Sequence, residues 1–400
     1  GWRGVLSKNR IGALVAMSRG IQGVLADASE FDTDPDLLTV ENGTVHLPSG
    51  QLRPHSPADR ITKCAPSRYV PGYRHPKLDL ALEALPEESR PYLQDRLGQA
   101  VTGYMTPDHV MVVSHGGGEN GKSTLADLML STIGESDAGG YGVQISDRVL
   151  MASPSDHPTE LMDLRGARYA VLEETPEARH LNVQRMKSVV GTPRMKARHI
   201  RQDTVAWQST HSLFVNTNHR PVVAETDHGS WRRLALLTYP YRFVKHSEPL
   251  VKPTDRRGDP TLQYAKNDPA VRQAMLAWLI EGAQAFYARG RMMLEPPAGV
   301  VADTMSWRAE SDQVIGFAND CLEFDPGAWT STEDMLKAFN AWLDSTGHRP
   351  WNAMTLGTRM GGHEVLSANH VEQGRKTVNG KKLRGWAGVR VTRSDNPFNP

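Results

Sequence analysis

Residues 110–125 read VMVVSHGGGENGKSTL, an apolar run that meets three consecutive glycines and then a lysine and two hydroxyls. Glycines in a row weaken any strand or helix they interrupt, so the stretch does something that only glycine permits. Gly116-x-x-x-x-Gly121-Lys122-Ser123 fits the phosphate-binding loop pattern, set between an apolar strand and a helix as that pattern requires. The backbone N–H groups of Gly116, Gly117, Gly118, Glu119, Asn120 and Gly121 can curl around phosphates without side-chain clashes. A helix starting near Lys122 turns the positive end of its dipole to the same anion. Lys122 reaches the β and γ phosphates as a mobile point charge. Ser123, followed by Thr124, offers Mg²⁺ a hard oxygen ligand. The expected ligands are ATP and Mg²⁺.

Hydrolysis also needs an acid and groups that sense the terminal phosphate. RYAVLEETPE is an apolar strand ending in Glu173 and Glu174, and a parallel sheet presents ligands at this carboxyl edge. One glutamate would hold magnesium and the other would polarise the attacking water. HSLFVNTNHRP is a second such strand, ending at Asn216, Thr217 and Asn218, where a neutral amide can bond both phosphate and water. GSWRR places Arg232 and Arg233 ahead of the apolar run LALL. An arginine offered to a neighbouring subunit's site would neutralise transition-state charge, an effect worth about 10³ to 10⁵ in rate in GTPases. Solvated acids, a turn-capping asparagine and a surface arginine pair are the plainer readings of these residues.

The elements that must position these groups alternate in type. Short apolar strands at Val110–Val113, Tyr169–Leu172 and Ser212–Val215, with a helix at Ser123–Ile133, predict an α/β sheet with much parallel pairing. Ahead of them, short strands turn at Asn42-Gly43 and Ser49-Gly50, giving a small α+β segment. A Pro-rich connector then leads to helical spacing over Leu78–Thr102, broken near Pro86. Ala270–Ala288 is a strongly periodic packing helix. Near the end, a capping box from Thr330 to Glu333 opens a helix with Met335, Leu336, Phe339, Trp342 and Leu343 on its apolar face. A shorter helix over Met354–Met360 follows, then Asn379-Gly380 between two short basic strands. Helix, helix, basic hairpin is the outline of a winged helix-turn-helix.

Composition narrows the class. With 39% hydrophobic and 23% charged residues, the 400-residue chain reads as an ordinary globular protein of two or three domains. No apolar run approaches the roughly 20 residues of a membrane span. Cys64 and Cys321 stand alone, which suggests a reducing, cytoplasmic setting without structural zinc. The chain starts at Gly1 instead of Met, so a fragment of a longer protein is expected. Net charge is only +1, yet Arg179–Arg201 holds seven Lys or Arg and no acid, and a second basic cluster lies between Arg375 and Arg393. Such patches meet a polyanion, or else are two solvated basic faces.

In order and spacing, HGGGENGKSTL, RYAVLEETPE, KSVVGTPRMKARHIRQD, LFVNTNHRP and GSWRR resemble the superfamily 3 helicases. The nearest resemblance is to the phage and plasmid primase–helicase family, which includes the poxvirus nucleoside triphosphatase–primase. FDTDPDLLTVENGTVHLPSGQLRPHSP is similar to that family's segment ahead of the motor. The resemblance implies an AAA+ type P-loop NTPase core over 89–305, a family segment over 1–88 and a winged helix over 306–400. It implies a ring, usually a hexamer, around single-stranded DNA. Lys122 and Ser123 fall on the family's loop lysine and hydroxyl, Glu174 on its Walker B acid with Glu173 beside it, and Asn218 on its sensor. Either Arg232 or Arg233 falls on its finger. The family's DNA-gripping hairpin matches Arg194, Lys196, Arg198 and Arg201, with Lys187 and His199 alongside. Gly191-Thr192-Pro193 departs from the relatives' Gly-Gly-Asp. Lys381 and Lys382, with Arg375, Lys376 and Arg384, would touch duplex DNA, or else belong to a packing or partner-docking module.

The expected function is an ATP-dependent DNA helicase replicating a phage, prophage or plasmid in a bacterial cytoplasm. Its expected partners are single-stranded or forked DNA and a primase or polymerase. Two alternatives stay open: a ring ATPase that remodels or packages DNA without unwinding it, and a nonenzymatic initiator or scaffold that uses nucleotide only for assembly.

Overall fold

The computed structural model describes residues 7–21, 26–151, 158–174, 180–199, 201–223, 228–346, 348, 350–378 and 380–392. Arg179, Asn379 and Arg393 lie outside the described residues.

After α1 (Lys8–Ser18) come three antiparallel strands, β1 (Leu37–Val40), β2 (Gly43–His46) and β3 (Gln51–Arg53). The helical stretch broken by Pro86 is α2 (Pro76–Leu82) and α3 (Arg90–Ala100). His75 caps α2 and Pro76 sits at its first position, where its missing N–H costs nothing. Then follow β4 (Met111–His115), α4 (Lys122–Ile133), β5 (Gly142–Ile145), β6 (Tyr169–Glu173) and α5 (Val183–Gly191). A hairpin of β7 (Arg194–Ala197) and β8 (Val205–Gln208) leads into β9 (Ser212–Thr217), α6 (His228–Trp231) and β10 (Leu234–Thr238).

Five strands form one parallel sheet in the order β10-β4-β9-β6-β5. The chain leaves β4 for the far edge and returns to both of its neighbours last, which opens a crevice at the carboxyl ends beside β4. Both faces are covered, and the strands are accordingly apolar almost throughout. Val112, Val171, Phe214 and Leu237 face one core, built with α3, α4 and the long helix α7 (Pro269–Ala288). Met111, Val113, Leu172, Val215 and Leu236 face the other, with Met186 and Val189 of α5. Leu38, Val45 and Leu78 share the first core with Leu128 and Leu276, so the apolar packing runs across residue 88 without a break. Arg168 fastens the same junction: buried, it donates to the carbonyls of Leu37 and Val101 and stacks on the Tyr141 ring.

Between β10 and α7 lies a parallel pair, β11 (Arg242–Val244) and β12 (Asp255–Arg257). Beyond α7 come α8 (Ala298–Ser311), α9 (Gln313–Cys321), β13 (Leu322–Ser331), α10 (Thr332–Ser345), α11 (Ala353–Gly361) and α12 (Glu364–Ala368). The last pair, β14 (Glu372–Val378) and β15 (Lys381–Val391), forms an antiparallel sheet with β13 in the order β13-β15-β14. Phe317, Met335, Phe339, Leu343, Leu356 and Trp386 fill a third core there. The cap of α10 differs from the expected one. Ser331, not Thr330, accepts the Asp334 N–H, because Thr330 is still paired in β13 and gives its hydroxyl to the Val389 carbonyl. Among the described residues, no helix is long and apolar enough to cross a membrane.

Candidate nucleotide site

The glycine loop joins β4 to α4, and two of its glycines are required by the loop itself. Gly121 has φ +85°, a conformation that side chains rarely adopt. A Cβ on Gly116 would collide with the Asn120 amide and the Tyr239 carbonyl. Gly117 and Gly118 differ, since nothing lies within 4 Å of where their Cβ atoms would be. Their open outer side is a cradle left free for something else. Glu119 anchors the far wall, accepting Phe243 N–H at its carbonyl and Arg242 at its carboxylate, 2.7 and 2.9 Å away.

Lys122 is folded back into this loop. Its ammonium is buried, 2.7 Å from the Gly116 carbonyl, 3.4 Å from that of Gly117, and 3.1 Å from the amide oxygens of both Asn120 and Asn218. Burial pushes its pKa down to about 8, against the pull of Glu173 and Glu174. Its acceptors are all uncharged, so among the described residues the cation has no counter-ion in contact. The Asn120 amide nitrogen is buried without a partner among the described residues, a second donor left over at the loop.

The two glutamates have different positions. Glu173 is half-buried at the end of β6, accepts the Asn216 amide at 2.7 Å and lies near the Ser123 hydroxyl. Burial raises its pKa, and those two groups work against the rise. Glu174 is exposed, with φ 61°, and its N–H goes to the Asn216 carbonyl 2.9 Å away. The strand ladder ends at that bond. Glu173 therefore stands beside Ser123 at the foot of the loop, whereas Glu174 stands at the mouth. Asn216 has a role that sequence reasoning missed. The register pairs it with Glu173 across β6 and β9, and strand order cannot be read from either strand alone.

Asn218 is exposed and lies against Lys122, while Thr124 is half-buried on the first turn of α4. Arg233 donates to the Gly229 carbonyl within its own chain. Arg232 is exposed, has no side-chain partner among the described residues, and borders a groove of about 210 Å³ lined by Trp231, Val300, Val301 and Met305.

The basic hairpin alternates with the strand period of two. Met195 and Ala197 are buried and join Trp207 in the second core, so Arg194 and Lys196 face outward, followed by exposed Arg198, His199 and Arg201. Lys187 is half-exposed on α5. Lys381 and Lys382 are exposed at the start of β15 near Arg375 and Arg384, and Lys376 lies over the Trp329 ring.

A family model described as D5 N terminal like matches residues 5–95, and one described as a family of unknown function matches residues 114–233. A protein of African swine fever virus (strain Badajoz 1971 Vero-adapted), named as a primase, is 26% identical over 332 residues. That match covers 79% of this chain and 34% of the viral protein. A protein of Acanthamoeba polyphaga mimivirus, named as a helicase, is 24% identical over 322 residues, covering 75% of this chain and 33% of its own length. These similarities, to the D5 N terminal like model and to viral proteins named as primase or helicase, support kinship with the phage-type primase–helicases. It spans about a third of the length of the curated relatives it matches. The solved C-terminal region of NrS-1 superposes with a TM-score of 0.42 at 14% identity, over 80% of this chain and 77% of that one. In this chain the sheet's carboxyl edge gathers one cation, one half-buried acid, one exposed acid and two amides around an open glycine loop.

Proposed function

We propose that the chain is the ATP-driven motor of a primase–helicase, a superfamily 3, AAA+ type P-loop NTPase that moves along one strand of DNA. The observation that carries the proposal is the convergence of Lys122 with Asn218, and of Glu173 with Asn216, on neighbouring strand ends. A triphosphate fits here. The outer faces of Gly117 and Gly118 are clear, the Asn120 amide lacks a partner, and the first turn of α4 points its N–H groups into the loop.

On binding, Lys122 would exchange neutral oxygens for phosphate oxygens, a stronger charge-assisted contact. Ser123 and Glu173 are the oxygen ligands that would hold Mg²⁺, which supplies neutralisation of charge on the β and γ oxygens. Glu174, exposed at the mouth, is the acid placed to take a proton from water. Asn218 would bond the terminal phosphate without altering the charge balance. Among the described residues Lys122 is the one cation folded into the loop, so the developing charge needs another, and the exposed Arg232 of an adjoining copy would supply it. That requirement supports a ring, with a hexamer as the proposed form. Energy released at such a boundary would shift the packing of the copies and drag the hairpin of β7 and β8 along the phosphates of a single strand. Contacts from Arg194, Lys196 and Arg198 would be mainly electrostatic, as sequence-independent movement demands. The last helices and the β14–β15 pair are read as a winged helix, with Lys381 and Lys382 on its wing. Measuring ATP hydrolysis with and without single-stranded DNA tests the proposal. The wild-type chain should be stimulated by DNA, and a rate indifferent to DNA would oppose a translocating motor.

A further inference from the structure

Helix α8 lies along the free edge of β10. Thr304 accepts the Leu236 N–H, satisfying a donor that the edge strand leaves unpaired. Three residues on, Trp307 is buried and donates its indole N–H to the Pro221 carbonyl, 3.1 Å away. The same ring meets Trp231 edge-on, with centroids 5.2 Å apart and planes at 83°. Glu310 completes the row, taking the Arg220 guanidinium at 2.6 and 2.7 Å. Arg220 and Pro221 closely follow Asn218, and Trp231 immediately precedes Arg232. One indole is thus bonded to the segment that carries the amide over Lys122 and packed on the residue next to the unpartnered arginine.

We propose that Trp307 is a positioning residue that ties each subunit's own nucleotide site to the site of its neighbour. It holds the Asn218 segment and Arg232 in one register. The inference rests on the reading of Arg232 as acting across a subunit boundary. When Lys122 turns from Asn218 to a phosphate, the segment from Asn218 to Pro221 is freed from a fixed partner and shifts. Trp307 cannot let that shift dissipate. Releasing Pro221 would leave a buried N–H unbonded, and swinging away would open the packing against Trp231, both unfavourable in a closely packed interior. The Arg220–Glu310 pair attaches the same segment to the same helix. Movement at one site therefore reaches the arginine that serves the next.

The test is a double-mutant cycle on the full chain. Trp307→Phe keeps a ring against Trp231 and removes the N–H donor together with part of the indole's bulk. The expected result is a fall in kcat for ATP of about three- to tenfold, the rate equivalent of one neutral hydrogen bond. Affinity for a slowly hydrolysed ATP analogue should stay within about twofold. In Asn218→Ala and Arg232→Ala backgrounds the same substitution should have no further effect, because what it positions is gone. Glu310→Gln, at an exposed carboxylate, should give a smaller fall of the same pattern and serves if Trp307→Phe does not fold. An equal fall in all three backgrounds would mean that Trp307 only supports the fold, and an unchanged rate would mean that it positions nothing. Either result overturns the inference. A Lys122→Ala chain that hydrolyses ATP at the wild-type rate would instead remove the nucleotide site itself.

Discussion

The Lys122 ammonium and the Asn218 amide oxygen lie 3.1 Å apart, although 96 positions separate them in the chain. Their strands, β4 and β9, are direct neighbours in the sheet. A cation buried among neutral oxygens is costly, and an anion bound beside it would offset that cost. On the proposed reading the pair is the resting arrangement of a phosphate site, with the lysine held on the amide that would sense the phosphate.

The lowered pKa of Lys122 gives a pH dependence. Its ammonium is present below about pH 8 and is lost as pH rises through that value, so affinity for an ATP analogue should fall above pH 8. Lys122→Arg, which stays charged, should flatten that fall when binding is measured from about pH 7 to 9.5. A profile shared by both proteins would show that this amine is not the titrating group. Stability runs the other way. Between about 8 and the ordinary lysine value of 10.5 the unfolded chain binds the extra proton, so the lysine's cost to the ligand-free fold is relieved as pH rises through that window.

The positions of the two glutamates predict separable defects. Glu174→Gln should lower kcat by about 10²- to 10⁴-fold, the usual worth of a general base, with the Mg²⁺ requirement unchanged. Glu173→Gln should raise the Mg²⁺ concentration needed for half-maximal rate, since it stands with Ser123. A magnesium titration of both variants checks this, and reversed phenotypes would exchange the roles.

The outward face of β7 predicts a change in salt dependence. Lys196→Ala/Arg198→Ala should weaken binding to single-stranded DNA and reduce the slope of log K against log salt by about 1.4, or about 0.7 for each phosphate no longer neutralised. Arg194 and Met195 keep their alternate faces, so the hairpin should survive the change. An unaltered slope would place the hairpin away from the DNA.

A structural prediction concerns Asp312, which is fully buried. It caps α9 through the N–H groups of Val314 and Ile315 and bonds His363, the cap residue of α12, at 3.0 Å. Asp312→Ala should destabilise the C-terminal helices by about 3 kcal/mol, because breaking a buried pair strands its partner. Asp312→Asn, which keeps the cap, should cost less. Denaturant unfolding followed by tryptophan fluorescence reads the difference, and equal costs would refute the role given to the cap.

The glycine loop, its flanking elements and the polar ends of the Tyr169 and Ser212 strands were legible in the sequence because each is a local pattern. The division of labour between Glu173 and Glu174 was not. It is set by where the β6 ladder ends and by Asn216 on a neighbouring strand, neither of which spacing encodes. The hydroxyl run Thr330-Ser331-Thr332 offers several caps, and the length of β13 decides among them. That strand is itself obscured by Pro326 and Gly327, which lie in its register shift on a sheet edge, where proline is tolerated. The bonds of Trp307 depend on α8 lying against β10, a packing that no motif announces.

Strand displacement on a forked DNA duplex tests the central claim most directly, comparing the wild-type chain with Lys122→Ala. The account predicts that wild type separates the strands only with hydrolysable ATP, while Lys122→Ala binds the fork but neither hydrolyses ATP nor opens it. A wild-type chain that hydrolyses ATP on the fork yet leaves the duplex intact would contradict it.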